Sequence, residues 1–124
     1  MRLLHRIPLS PLAAREARRA LEPLASDVPV TVLNDLRLIV SELVTNSLKH
    51  AHMTEGKPVV VKVEASKRQV RLEVADREHG FAPVARHPGQ DDGSGWGLYL
   101  VDQLADRWGR VPGDGVWAEI DLPA

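Results

Sequence analysis

Apolar side chains recur at helical spacing over residues 31–51, the most regular segment of the chain. Because residues three and four apart share one face of a helix, this spacing predicts an amphipathic helix whose apolar side faces a core. The positions that form this side are Leu36, Ile39, Val40, Leu43, Val44, Ser47, Leu48 and Ala51.

Alternation of apolar and polar residues predicts strands elsewhere in the chain. Ser66-Lys67-Arg68 separates two alternating runs and is expected to turn them into a hairpin. Residues 2–8 fit a short edge strand that ends at Pro8. The apolar positions of the alternating runs are Val59, Val61 and Val63, then Val70, Leu72 and Val74, then Val116, Ala118, Ile120 and Leu122.

Two further helices are predicted. Ser10 precedes Pro11 as an N-cap precedes a proline at the first helical position, so a helix is expected to run to about residue 24. A second core-facing helix is indicated by the spacing of Leu98, Val101, Ala105 and Trp108, and residues 109–115 are expected to form a turn. Helices combined with mostly antiparallel strands indicate an α/β (α+β) two-layer sandwich, and residues 1–124 are interpreted as a single domain.

Charge and composition exclude several classes of partner. The 16 Lys and Arg residues balance 17 Asp and Glu residues, so no net field attracts a nucleic-acid backbone or an anionic membrane. The chain has no cysteine, which excludes thiolate metal sites, and aromatic residues make up only 4%, which leaves little material for base stacking. We therefore expect a cytoplasmic protein with no nucleic-acid and no membrane partner.

Glu42 and Asn46 lie four residues apart on the long predicted helix, at the margin of its apolar side, and His50 continues the row. An asparagine oxygen is a hard, neutral ligand for Mg²⁺, and a nearby glutamate can accept a proton from a hydroxyl group. Such a pair suits the phosphate end of a nucleotide. The alternative is an ordinary polar border of an amphipathic helix.

Two other segments fit the remaining parts of a nucleotide. Asp76 keeps the parity of Val74 and is expected to point inward where the strand ends, so an adenine amino group would satisfy its carboxylate. The alternative is that Asp76 caps the next turn. Gly93-Ser94-Gly95-Trp96-Gly97 ends where the Leu98 helix begins, and its glycines allow backbone amides to approach a phosphate. A plain flexible loop is the alternative there.

The order and spacing of these segments resemble the GHKL ATPases, which share a Bergerat-type ATP-binding fold. The resemblance also includes Ala105-Asp106-Arg107-Trp108-Gly109, and within the group the chain resembles the stand-alone anti-sigma-factor serine/threonine kinases of bacteria. The motifs that carry it are Ser41-Glu42-Leu43-Val44-Thr45-Asn46-Ser47-Leu48-Lys49-His50-Ala51, then Val74-Ala75-Asp76 with Gly80-Phe81, and then Gly93-Ser94-Gly95-Trp96-Gly97-Leu98.

The resemblance implies a role for each motif. Glu42 corresponds to the general base, Asn46 to the Mg²⁺ ligand, and Asp76 to the residue that reads the adenine amino group. Glu78 stands where the family has the first glycine of Asp-x-Gly-x-Gly, so we expect weaker ATP binding. The implied nucleotide-binding residues are Asn46, His50, Asp76, Gly80, Phe81, Gly93, Ser94, Gly95, Trp96, Gly97 and Leu98.

The implied function is an ATP- and Mg²⁺-dependent protein serine/threonine kinase that regulates transcription as an anti-sigma factor. The implied partners are a sigma factor, an antagonist of the anti-sigma factor, or both, and a homodimer is left open. Two alternatives stay open: a nucleotide-binding regulatory module without kinase turnover, and a detached histidine-kinase-type ATPase domain. Arg15, Arg18 and Arg19 form a basic patch on the first helix, which is either a solvated face or a docking surface.

Overall fold

The computed structural model describes residues 1–49, 58–75, 96–111 and 115–123. These residues form five strands, three α-helices and one 3-10 helix. The elements are β1 (Arg2–Pro8), α1 (Ala13–Ala20), a 3-10 helix (Glu22–Ser26), α2 (Val30–Lys49), β2 (Pro58–Ala65), β3 (Gln69–Ala75), α3 (Trp96–Leu104), β4 (Arg107–Val111) and β5 (Gly115–Asp121).

The strands form one five-stranded sheet in the order β1-β2-β3-β5-β4, and each neighbouring pair is antiparallel. β2 and β3 form the predicted hairpin, in which the Ser66 hydroxyl accepts hydrogen bonds from the amides of Arg68 and Gln69. β1 is an edge strand that ends at Pro8, as the sequence predicts. The predicted α+β architecture is therefore confirmed.

The three helices cover one face of the sheet, and the core lies between the two layers. The apolar positions of the alternating strands point into this core together with the apolar side of α2, and Leu36, Ile39 and Val40 are fully buried there. Leu98 and Val101 bring α3 into the same cluster. Periodicity thus locates the core correctly, because the apolar positions at helical or alternating spacing are those that face it.

The first helix is shorter than the sequence predicts. The carbonyl of Ser10 accepts a hydrogen bond from the amide of Ala13 at 3.0 Å, and its hydroxyl accepts one from the amide of Leu12 at 3.1 Å. Ser10 and Pro11 therefore form a turn ahead of α1 instead of its first residues. The prediction of a continuous helix to about residue 24 was also wrong, since α1 ends at Ala20 and Pro23 lies in a separate 3-10 helix.

The prediction that Trp108 lies on a helix was wrong, and so was the predicted turn at residues 109–111 and at Gly115, which lie in strands; residues 112–114 are outside the described residues. α3 ends at Leu104, and the amide of Asp106 already bonds to the carbonyl of Glu119 in β5 at 2.8 Å. From Arg107 the chain pairs with β5 as strand β4, which includes Gly109, a poor helix former. Trp108 still reaches the core, but it does so from a strand.

The far face of the sheet, opposite the helices, carries buried charged side chains. Glu119 is 1% exposed, and its carboxylate accepts hydrogen bonds from Gln69, Arg71 and Arg107. Lys62 and Glu73 form a second buried ion pair on directly opposed strand positions. Each of these buried carboxylates lies opposite a cation on a neighbouring strand, Glu73 opposite Lys62 and Glu119 opposite Arg71 and Arg107.

Candidate functional site

The second half of α2 presents Glu42 and Asn46 at the edge of the core. Leu43 is buried beside them, whereas Glu42 and Asn46 are half-buried, as expected for a row at the margin of the apolar side. The prediction that they share one side of a helix is confirmed by the unbroken helix over both positions. Both residues are therefore partly accessible to solvent.

Within residues 1–49, 58–75, 96–111 and 115–123, no group forms a hydrogen bond or an ion pair with the side chain of Glu42 or Asn46. Their neighbours differ: the Ser41 hydroxyl donates to the carbonyl of Arg37 at 2.8 Å, and the Ser47 hydroxyl donates to that of Leu43 at 3.1 Å. A half-buried carboxylate and carboxamide that take no part in the described bonding are available to a ligand.

The α3 helix packs beside α2 and begins at Trp96. The first four amides of a helix have no partner inside it, so this end of α3 offers donors to an anion. Leu98, which the sequence assigns to nucleotide binding, is 5% exposed, and its side chain packs in the core. Its backbone amide is the group that remains for a ligand.

Close packing where β3, β4 and β5 meet depends on Gly115, which sequence reasoning did not single out as a site residue. A Cβ at this position would lie 2.9 Å from Cβ of Val111, 3.0 Å from Cβ of Ala75 and 3.2 Å from the carbonyl oxygen of Val74. Any side chain would therefore displace the end of β3, immediately before Asp76. The signal in the sequence was the clustering of three glycines within residues 109–115.

The C-terminal end of α3 is fastened to β4 and β5. The indole N–H of Trp108 donates to Oδ1 of Asp102 at 2.8 Å, and the amide of Asp121 donates to Oδ2 of Asp106 at 2.6 Å. Arg107 bonds to Asp121, and this hydrogen bond holds the pKa of the Asp121 carboxyl below its ordinary value. These hydrogen bonds join the end of α3 to β4 and β5 without the help of a ligand.

Several predicted site residues lie outside the described residues: His50, Asp76, Gly80, Phe81, Gly93, Ser94 and Gly95. Trp96 and Gly97 belong to the first turn of α3. The described residues contain no group of three or more His, Asp or Glu side chains that would hold a metal ion by themselves. The described part of the site is therefore the Glu42–Asn46 row on α2 together with α3, which packs against α2 and begins at Trp96.

The family described as histidine kinase-like ATPase domain matches residues 7–117. This chain belongs to that family. Membership in an ATPase-domain family implies a nucleotide-binding site, and it confirms the predicted relationship to the GHKL proteins. Among the residues that the structure describes, no helix is long and apolar enough to cross a membrane.

The chain is similar in sequence to one characterised protein and in structure to another. The anti-sigma F factor of Pasteuria penetrans is 34% identical over 100 residues, which correspond to 72% of this chain and 67% of that protein. The crystal structure of the RsbU and RsbW domains of Rv1364c from Mycobacterium tuberculosis matches with a TM-score of 0.68 and 22% identity. That match covers 100% of this chain but 33% of the other, and it shows a shared fold.

Proposed function

We propose that this chain is an anti-sigma regulator that binds ATP with Mg²⁺ and phosphorylates a serine or threonine of a partner protein. The observation that carries the proposal is the Glu42–Asn46 row: two half-buried polar side chains without partners among the described residues, on the helix against which α3 packs. The 34% identity to an anti-sigma F factor supports the regulatory role.

The Asn46 carboxamide fits Mg²⁺, because an uncharged oxygen donor on a rigid helix suits an ion that keeps several waters and takes its other ligands from phosphates. When bound, Mg²⁺ would neutralise part of the phosphate charge. Asp76 would receive the adenine amino group, with Gly80 and Phe81 next to the base. The residues proposed to line the rest of the nucleotide site are His50, Gly93, Ser94, Gly95, Trp96, Gly97 and Leu98.

The Glu42 carboxylate would act as the general base. It accepts the proton of the attacking hydroxyl while the oxygen of that hydroxyl forms a bond to the γ-phosphorus of ATP and the bond from this phosphorus to the ADP oxygen breaks. The amides of the first turn of α3 would donate to the phosphate oxygens, where negative charge is concentrated. Positioning on two packed helices provides most of the rate enhancement in this account.

The proposed partners are a sigma factor, an antagonist protein, or both. Arg15, Arg18 and Arg19 are exposed on α1, and exposed Leu12 precedes them, so this surface suits a partner with acidic and apolar groups. Nη1 of Arg18 also donates to the hydroxyl of Ser41 at 2.9 Å, which connects the surface to the residue before Glu42. We place the protein docking surface there.

A second candidate function is a nucleotide sensor that changes partner affinity without phosphorylating anything. Glu78 in place of the family glycine favours it, because a charged side chain in the adenine motif is expected to weaken ATP binding. In this function Glu42 would have no catalytic role, which separates the two candidates.

The test incubates the protein with radiolabelled ATP, Mg²⁺ and a candidate antagonist domain. Label on a serine or threonine supports the kinase, label on an aspartate or histidine indicates a phosphorelay, and binding without label indicates the sensor. Glu42→Gln is expected to abolish transfer while ATP still binds. Asp35→Asn, two turns earlier on the same helix, is the matched control and should retain transfer.

A further inference from the structure

We propose that Asp102 and Trp108 are a positioning pair: their hydrogen bond fixes the rotation of α3 and thereby directs the amides of its first turn. The inference rests on the proposed function, because it concerns how those amides meet the phosphates of a nucleotide. Neither residue touches the ligand in this account, and both act through α3.

The hydrogen bond between Trp108 and Asp102 is short and joins a buried ring to α3. The indole N–H of Trp108 lies 2.8 Å from Oδ1 of Asp102, and Trp108 is 8% exposed, so the ring is held in the core while its single donor reaches the helix. An ionised acceptor makes the bond stronger than one between neutral groups. Over residues 98–104, no other side chain of α3 hydrogen-bonds to a second element among the described residues.

The remaining bonds at this corner hold the end of α3 but not its rotation. They join Asp106 to β5, through its amide to Glu119 and through its carboxylate to the amide of Asp121. Asp106 lies beyond the last helical residue, so a helix attached there alone can still turn about its axis. The lateral bond from Asp102 restricts that rotation, together with the core packing of Leu98 and Val101.

A small rotation has a large effect at the other end of the helix. Because Cα atoms lie at a radius of about 2.3 Å, a turn of about 20° moves the first-turn backbone by about 0.8 Å. Displacements of about 1 Å in a group that meets reacting atoms change rates by up to about 100-fold. Loss of the bond is therefore expected to weaken ATP binding about tenfold, an intermediate effect for a helix that keeps its core contacts.

The experiment compares Trp108→Phe and Asp102→Ala with the unmodified protein by titration with ATP and with AMP. Both variants are expected to bind ATP about tenfold more weakly and AMP with unchanged affinity, because AMP lacks the phosphates that α3 would hold. Asp102→Asn keeps an oxygen acceptor for the indole and should restore ATP affinity. Trp117→Phe, which removes an indole N–H from the far face, is the matched control and should change neither affinity.

Hydrogen exchange of the ligand-free variants provides a readout that does not depend on nucleotide. Amides of α3 should exchange faster in Trp108→Phe than in the unmodified protein, whereas amides of the β2–β3 hairpin should not change. Equal losses of ATP and AMP binding, or unchanged α3 exchange, would overturn the positioning role. An unmodified protein that binds no nucleotide would refute the proposed function, and the exchange result would then still decide whether the pair fixes the helix.

Discussion

Replacing Lys62 with methionine is expected to destabilise the fold, because it breaks an ion pair inside the far face of the sheet. Nζ of Lys62 lies 3.2 Å from Oε1 of Glu73, and both side chains are 5% exposed. Methionine has a similar shape but no charge. In the variant, the Glu73 carboxylate stays buried, and the nearest described cation is Arg71, whose Nη2 lies 4.0 Å from Oε2.

The size of the effect follows from burial. Removing one member of a buried ion pair costs about 3–5 kcal/mol, since the remaining charge loses its partner but not its desolvation. Arg71 offsets part of this loss, so we expect about 3 kcal/mol, the lower end of that range. For a domain of this size, such a loss lowers Tm by roughly 10 °C.

Urea unfolding followed by circular dichroism measures the loss directly. Lys62→Met combined with Glu73→Leu should recover to within about 1 kcal/mol of the unmodified protein, because no buried charge is left without its partner. The matched control is Arg2→Met, which breaks the exposed pair with Glu64 and should cost no more than about 1 kcal/mol. Equal losses in Lys62→Met and Arg2→Met, or additive losses in the double variant, would refute the reasoning.

Three further predictions concern the site and the sheet. Asn46→Ala should remove the effect of Mg²⁺ on ATP affinity in calorimetry; a retained Mg²⁺ effect would exclude Asn46 as the ligand. Glu78→Gly should tighten ATP binding, and an unchanged affinity would count against our interpretation of that position. The hydrogen bond from Arg107 lowers the pKa of Asp121 below its ordinary value of 3.8. The stabilisation of the fold by this bond is therefore present above pH 3.8 and is lost as the pH falls through the lower pKa of Asp121 in the folded state. Urea midpoints of Asp121→Asn and the unmodified protein should therefore differ near pH 7 and converge as the pH falls below the lowered pKa of Asp121; a constant difference would contradict the assignment.

The parts of the fold that the sequence predicts are those in which one periodic face enters the core. The α2 helix and the alternating strands follow this rule over many residues. The strand conformation of Trp108 was not predicted, because a tryptophan that faces the core is compatible both with a helix continued from Leu98 and with a strand that pairs with β5. Pairing partners distant in sequence decided its conformation.

The candidate site could be predicted only as far as it lies on one regular element. Glu42 and Asn46 are placed by the geometry of a single helix, and the structure has them half-buried at its margin. Gly115 and the Asp102–Trp108 bond arise where separate strands and helices meet, so their roles depend on contacts between elements. The pairing of Lys62 with Glu73 likewise depends on the register of two strands and not on the position of Lys62 in its own alternating run.

The central claim is that this chain binds ATP together with Mg²⁺, and isothermal titration calorimetry of the unmodified protein tests it most directly. We expect saturable binding of one ATP per chain, with higher affinity in the presence of Mg²⁺ than in the presence of a chelator. Absence of binding under both conditions, or an ATP affinity that is the same with and without Mg²⁺, would contradict the account.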